Sequence, residues 1–190
     1  LHGRDTAVST LRSSLASPGA FVVVVGEAGV GKTTLVRAAF ADAPLREGGG
    51  LSTLTWASYL PLRRALPDLT DDVWSGDADY AADRVEEALA DAILFVDDLQ
   101  WADVSTLDVV ERLAGRVSMV TGVRRGDPAA ASVLERFEPF GRRQDLEPLD
   151  RAETLAWLSE LAPGMSVEQA ELVADRSGGN PLLVTELADA

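Results

Sequence analysis

Apolar residues along this chain change their period several times, and each change marks an element. From Phe21 to Val25 they run unbroken, opening after Pro18-Gly19 and closing at Gly26. Such a β-branched and aromatic run predicts a strand buried on both faces, as in a parallel sheet. Ile93–Val96 and Val117–Val123 read the same way; Leu51–Trp56 and the short Gln144–Leu146 complete a set of five strands. Between them the spacing turns helical. Leu11 and Leu15 share one face of a short helix within residues 1–17. Lys32–Phe40 is a helix that Pro44 and the glycines at 48–50 close off. Residues 58–76, interrupted by Pro61 and Pro67, read as a loop with a short helix. Asp79–Ala90 carries Val85 and Leu89 on one face, and Val104–Ala114 begins after Asp103 as N-cap. Asp127-Pro128 predicts a cap followed by proline at the first helical position.

After Leu149 the alternation stops. Asp150–Leu161, Ser166–Arg176 and Pro181–Ala188 are three helical segments with no strand between them. The expectation is an α/β core over residues 1–149, a five-stranded parallel sheet sandwiched by helices, followed by a small helical lid over 150–190. In such sheets ligands bind beyond the carboxyl ends of the strands.

Composition narrows the chemistry. The chain has 190 residues, 46% hydrophobic and 25% charged, enough for a proper core. Its net charge of −14 disfavours nucleic acid and anionic lipid as direct partners. With no cysteine and one histidine, His2, neither a disulfide framework nor a Cys/His zinc site is available. No secretory leader is visible and no apolar stretch approaches the ~18 residues of a membrane span, so a cytoplasmic protein without membrane contact is expected. Of 17 basic residues one is lysine, Lys32. A GC-rich coding bias explains why lysine is scarce but not where the lysine sits.

It sits in Gly26-Glu27-Ala28-Gly29-Val30-Gly31-Lys32-Thr33, which fits G-x-x-x-x-G-K-[ST] between a buried strand and a helix. Glycines let backbone N–H groups curl around an anion, and the helix N-terminus adds partial positive charge. Lys32 is expected on the β and γ phosphates of ATP, the Thr33 hydroxyl on Mg²⁺, and Thr34 near the α phosphate. The pattern predicts a P-loop NTPase. Ile93–Val96 then ends in Asp97-Asp98, the Walker B arrangement, with Asp97 holding Mg²⁺ and Asp98 polarising the attacking water. Read alone, an acidic pair after a strand is as easily a turn or helix cap. Arg124 and Arg125 close the fourth strand, as γ-phosphate sensors or as a solvated pair. Trp56, Trp74, Trp101 and Trp157 read as core.

These motifs, with Leu1-His2-Gly3-Arg4-Asp5 before them and Asp97-Asp98-Leu99-Gln100-Trp101-Ala102-Asp103 and Gly178-Gly179-Asn180-Pro181-Leu182 after, resemble the AAA+-like ATPase domains of the STAND class. The resemblance is strongest to large ATP-binding LuxR-type transcriptional regulators of actinobacteria. It implies that Gly3 and Arg4 lie near the adenine, that Pro181 contacts it, and that Arg124 senses phosphate, with Arg125 as the alternate. It also implies a signalling switch: ADP holds a closed state, and ATP with an inducer opens it and forms a homo-oligomer. DNA would be met only through a domain outside this chain. The segment between the second and third strands is shorter than in many relatives. No helix-turn-helix or sensor repeat follows, so a partial domain is expected. The alternative function is a ring-forming motor or loader ATPase, for which Arg112, Arg116 or Arg136 would be the trans-acting finger. A scaffold without catalysis and a small-molecule kinase fit the acidic pair less well.

Overall fold

A computed structural model describes residues 2–189. Five strands form one sheet: β1 (Phe21–Gly26), β2 (Leu45–Gly49), β3 (Ile93–Asp97), β4 (Met119–Arg124) and β5 (Arg142–Leu146). Their order is β2-β3-β4-β1-β5, and every pairing is parallel. Parallel neighbours need crossovers, and helices supply them. They are α2 (Lys32–Ala39), α3 (Leu60–Ala65), α4 (Ala78–Leu89), α5 (Val104–Leu113) and α6 (Ala130–Phe137), while α1 (Asp5–Ser14) precedes β1.

The period of two along each strand divides the core. Phe21, Val23 and Val25 of β1 join Leu94, Val96, Met119 and Val123 in a cluster with α3 to α6. Val22 and Val24 join Phe95, Val120 and Leu146 in a second cluster with α1 and α2. The unbroken apolar run of β1 thus serves both layers, each buried valine stabilising the fold by about 1.5–3 kcal/mol. The molecule is an α/β sandwich of the P-loop NTPase type.

The second strand corrects the sequence reading. It spans Leu45–Gly49, not Leu51–Trp56, whose residues form turns with Trp56 77% exposed. A strand reading Leu-Arg-Glu-Gly-Gly has poor β-propensity, but packing needs those glycines. A Cβ on Gly48 would lie 1.9 Å from the Pro61 carbonyl oxygen, so α3 could not pack there against any larger residue. The start of α6 is corrected as well. Asp127 is not its cap: its Oδ1 accepts from the Ala129 N–H in a local turn, its Oδ2 accepts from the Trp101 indole, and the helix begins at Ala130.

Beyond β5 come α7 (Arg151–Leu161), α8 (Val167–Ser177) and α9 (Pro181–Ala188). Asp150 and Ser166 cap the first two through reciprocal capping boxes with Glu153 and Gln169, the spacing that marks a helix start in sequence. Pro181 opens α9 after Asn180 as N-cap. These helices have their own small core of Leu158, Val173 and Val184. No helix among the described residues is long and apolar enough to cross a membrane.

Candidate functional site

The strand order decides where a ligand fits. β1 and β4 are neighbours, but the chain leaves β1 toward β2 and leaves β4 toward β5, on opposite sides. The divergence opens a crevice at their carboxyl ends. Gly26 and Arg124, far apart in sequence, end up in register across it. A cavity of about 490 Å³ lies there, walled by the loop after β1, the ends of β3 and β4, and the start of α9.

The loop wall is local in origin. Gly29 and Gly31 both take positive φ (77° and 99°), a region that L side chains rarely enter. Gly31 is the N-cap position of α2 without a side-chain cap bond. Its helix therefore presents N–H groups to an anion. Lys32 is buried, and its Nζ donates to the carbonyl oxygens of Gly26 and Glu27, 2.9 Å each. Burial lowers its pKa, and the charges of Asp97 and Asp98 partly restore it. Ala28 to Thr34 line the cavity; Gly26 and Glu27 lie behind them as carbonyl partners of Lys32.

The facing wall comes from β3 and β4. Thr33 Oγ1 donates to Asp97 Oδ2, so hydroxyl and carboxylate lie side by side. Burial raises the pKa of Asp97 and the neighbouring Asp98 carboxylate adds to this, against the Thr33 hydrogen bond and the Lys32 charge. Asp97 fits in this position because β4 carries a glycine opposite. A Cβ on Gly122 would lie 2.2 Å from Asp97 Oδ1. Sequence reading passed over Gly122, although a lone glycine inside an otherwise β-branched strand signals a close approach. Asp98 adopts a left-handed conformation (φ 47°, ψ 48°), and its N–H donates to Asp97 Oδ1 at 2.9 Å.

The two arginines at the end of β4 part company. Arg125 pairs with Asp145 of β5 and with Glu147 just after it. Arg124 lines the cavity, its Nη2 3.7 Å from Asp98 Oδ2 and its guanidinium 4.4 Å from the Trp101 ring centroid. Its Nε is buried without a hydrogen-bond partner among the described residues. Arg112, Arg116 and Arg136 are all engaged in ion pairs with carboxylates of the same chain.

The apolar end of the cavity holds Leu149, Trp157, Pro181 and Leu182. Of the four tryptophans read as core, Trp74 is buried with the main cluster. Trp56 is exposed, Trp101 lies under Arg124, and Trp157 stacks on His2 at 5.8 Å within the cavity wall. Rings with one apolar face and one partner suit a cleft wall as well as a core. Arg4 is buried and its guanidinium donates to the carbonyls of Glu147 (2.7 Å) and Val30 (3.2 Å). Gly3 is exposed and outside the cavity lining, and Leu1 lies outside the described residues.

The residues present suit a magnesium nucleotide. A glycine loop supplies backbone donors, Lys32 and Arg124 supply positive charge, and Thr33 with Asp97 supplies the hard oxygen ligands that Mg²⁺ takes one or two at a time beside phosphate oxygens. The fold and this cleft define a P-loop ATPase. The AAA ATPase domain family matches residues 1–125, and the chain belongs to that family. No curated protein matches it in sequence. Among solved structures it is similar to a Walker-type ATPase of Pyrococcus abyssi (13% identity, TM-score 0.69), covering 100% of this chain and 67% of that one. A STAND protein with a tetratricopeptide repeat sensor from Pyrococcus horikoshii (20%, TM-score 0.67) is covered over 30% of its length by the whole of this chain. The RuvB Holliday junction branch migration motor of Thermotoga maritima (17%, TM-score 0.63) is covered over 60% by 97% of this chain. The chain thus spans only part of each of the three.

Proposed function

We propose that this chain is an ATP- and ADP-binding, Mg²⁺-dependent switch domain that hydrolyses ATP slowly, within a signal-transducing regulator of the LuxR-type STAND class. One observation carries the switch: the N-cap and first turn of α9 are bonded to the phosphate loop itself. Asn180 Nδ2 donates to the Ala28 carbonyl at 2.8 Å and the Leu182 N–H donates to the Gly29 carbonyl at 3.2 Å. Any change that phosphates impose on the loop is felt directly by the helical lid, residues 150–190, against the core of 1–149. In this reading Lys32 and the loop N–H groups hold the phosphates, with Thr33 and Asp97 on the metal. Asp98 orients and deprotonates water, and Arg124 reads the γ phosphate. Bound Mg²⁺ supplies charge neutralisation. Arg4, Trp157 and Pro181 border the adenine end. ATP-state self-assembly and DNA contact through another domain of a cytoplasmic protein complete the proposal.

Calorimetry with ATP and ADP, paired with turnover measured with and without DNA, tests it. Binding of both nucleotides, its loss in Lys32→Ala, and turnover below about 1 per minute, outside the usual enzyme range of 1–10³ s⁻¹, are expected. Rapid, DNA-stimulated turnover would instead assign the chain to ring motors.

A further inference from the structure

The β3–β4 ladder ends at Val96 and Thr121. Beyond it the Asp97 carboxylate lies over Gly122. One side chain ties the turn after β3 to the end of β4. Gln100, buried in the turn after β3, accepts from the Arg124 backbone N–H at 3.0 Å through Oε1 and donates from Nε2 to Asp98 Oδ1 at 3.0 Å. The partners fix the orientation of the amide: a backbone N–H only donates and an ionised carboxylate only accepts.

We infer that Gln100 is a positioning residue for hydrolysis, clamping Asp98 by one oxygen so that the other is the one presented to water, and tying that setting to the strand end that carries Arg124. This rests on the ATPase reading above. Asp98 lines the cavity, and its Oδ2 has no hydrogen bond among the described residues, Arg124 Nη2 being 3.7 Å away. Without Gln100 the carboxylate is free to turn, and a base turned away from its water loses most of its effect. The bond from Gln100 Nε2 is the one hydrogen bond that the Asp98 side chain receives among the described residues. A glutamine here therefore does two separable things. Its oxygen ties β4 to the turn, a structural role. Its nitrogen sets the rotamer of Asp98, a role that bears on rate and not on nucleotide affinity.

Two substitutions separate the roles. Gln100→Met keeps the length and removes both bonds. Gln100→Glu keeps the acceptor for the Arg124 N–H and sets a carboxylate against Asp98. Single-turnover ATP hydrolysis, ADP affinity by calorimetry and melting temperature are measured for each. Both variants are expected to lose about tenfold in rate with ADP affinity unchanged, the melting temperature serving to confirm that each is folded. In an Asp98→Asn background, itself slower by about a hundredfold, Gln100→Met is expected to cost nothing further. Additive losses in that cycle, or a Gln100→Glu chain that hydrolyses at the parent rate, would show a purely structural tie and overturn the inference. If the parent chain hydrolyses no faster than Lys32→Ala, the ATPase reading falls and this inference with it. If the parent hydrolyses and Gln100→Met matches it, this inference alone falls.

Discussion

Between Gly26 and Lys32 the phosphate loop is closed by residues no more than six apart, with Lys32 bonded back to the carbonyls that precede it. The wall facing it takes Asp97 from the end of β3, Asp98 and Gln100 from the turn after it, and Arg124 from β4; Gln100 is bonded to the Arg124 N–H 24 residues away, and Asp97 to Thr33 64 residues away. The first wall is a property of one contiguous segment. Its shape follows chiefly from two glycines at positive φ and a helix start. The second exists only once the sheet has assembled. Its geometry therefore depends on residues with no chemistry of their own, and substitution should damage the two walls differently.

The largest effect is expected at Gly122. Replacement by alanine drives a Cβ to within 2.2 Å of Asp97 Oδ1, so the carboxylate or the strand must move. Forced repacking of this kind costs about 1–3 kcal/mol, or roughly 2–10 °C in melting temperature for a chain of this size. Scanning calorimetry checks the stability. Titration with ADP with and without Mg²⁺ checks the site: Gly122→Ala should lose the magnesium-dependent part of the affinity and keep the rest, since the loop wall is untouched. An unchanged magnesium dependence would mean that Asp97 does not need that space.

This contrast also explains what was legible in the sequence. The loop, the helix start at Lys32 and the capping boxes at Asp150 and Ser166 are short-range patterns, and the residues that make them are neighbours in the chain. β1, β3 and β4 are hydrophobic on both faces and declared themselves by composition. β2 did not: its Gly48 and Gly49 answer to the approach of α3 and of Asp97, which no local rule contains, while the more strand-like Leu51–Trp56 has no partner strand. Asp97 and Asp98 were readable as a pair at a strand end, but Gln100 and Gly122 owe their places to β4. Trp101 and Trp157 read as core in the sequence, whereas an arginine and a histidine cover them at the cleft.

A smaller effect belongs to the third contributor, the segment between α8 and α9. Asn180 donates to the Ala28 carbonyl from 152 residues away, and its Oδ1 caps the Leu182 N–H. A Cβ on Gly29 would meet Leu182 at 2.7 Å and Asn180 at 2.8 Å, so loop and helix start are in close contact. Asn180→Ala removes one side-chain hydrogen bond to the loop and one cap, each worth about 1 kcal/mol. The expected result is nucleotide affinity lowered about fivefold to tenfold in calorimetry, with the Lys32 contacts intact. Equal affinity in the variant would mean that the loop holds its shape unaided and that the C-terminal helices do not report on it.

Arg125 should matter least, and it sharpens the comparison because it is sequence-adjacent to Arg124 yet belongs to neither wall. Its guanidinium holds Asp145 and Glu147, and both carboxylates lie below their ordinary values of 3.8 and 4.5, Asp145 chiefly through Arg143 and Glu147 through Arg125. A carboxylate depressed in the folded state adds stability that is complete above its unfolded pKa and disappears as pH falls through the folded one. Arg125→Gln should therefore lower the melting temperature by about 2 °C or less at neutral pH, as exposed pairs do, with the gap to the parent chain closing below about pH 4. Thermal melts between pH 3 and 8 measure it. Nucleotide affinity and hydrolysis should stay at the parent level, whereas a large loss of either would make Arg125 the phosphate-sensing arginine and leave Arg124 as a packing partner of Trp101.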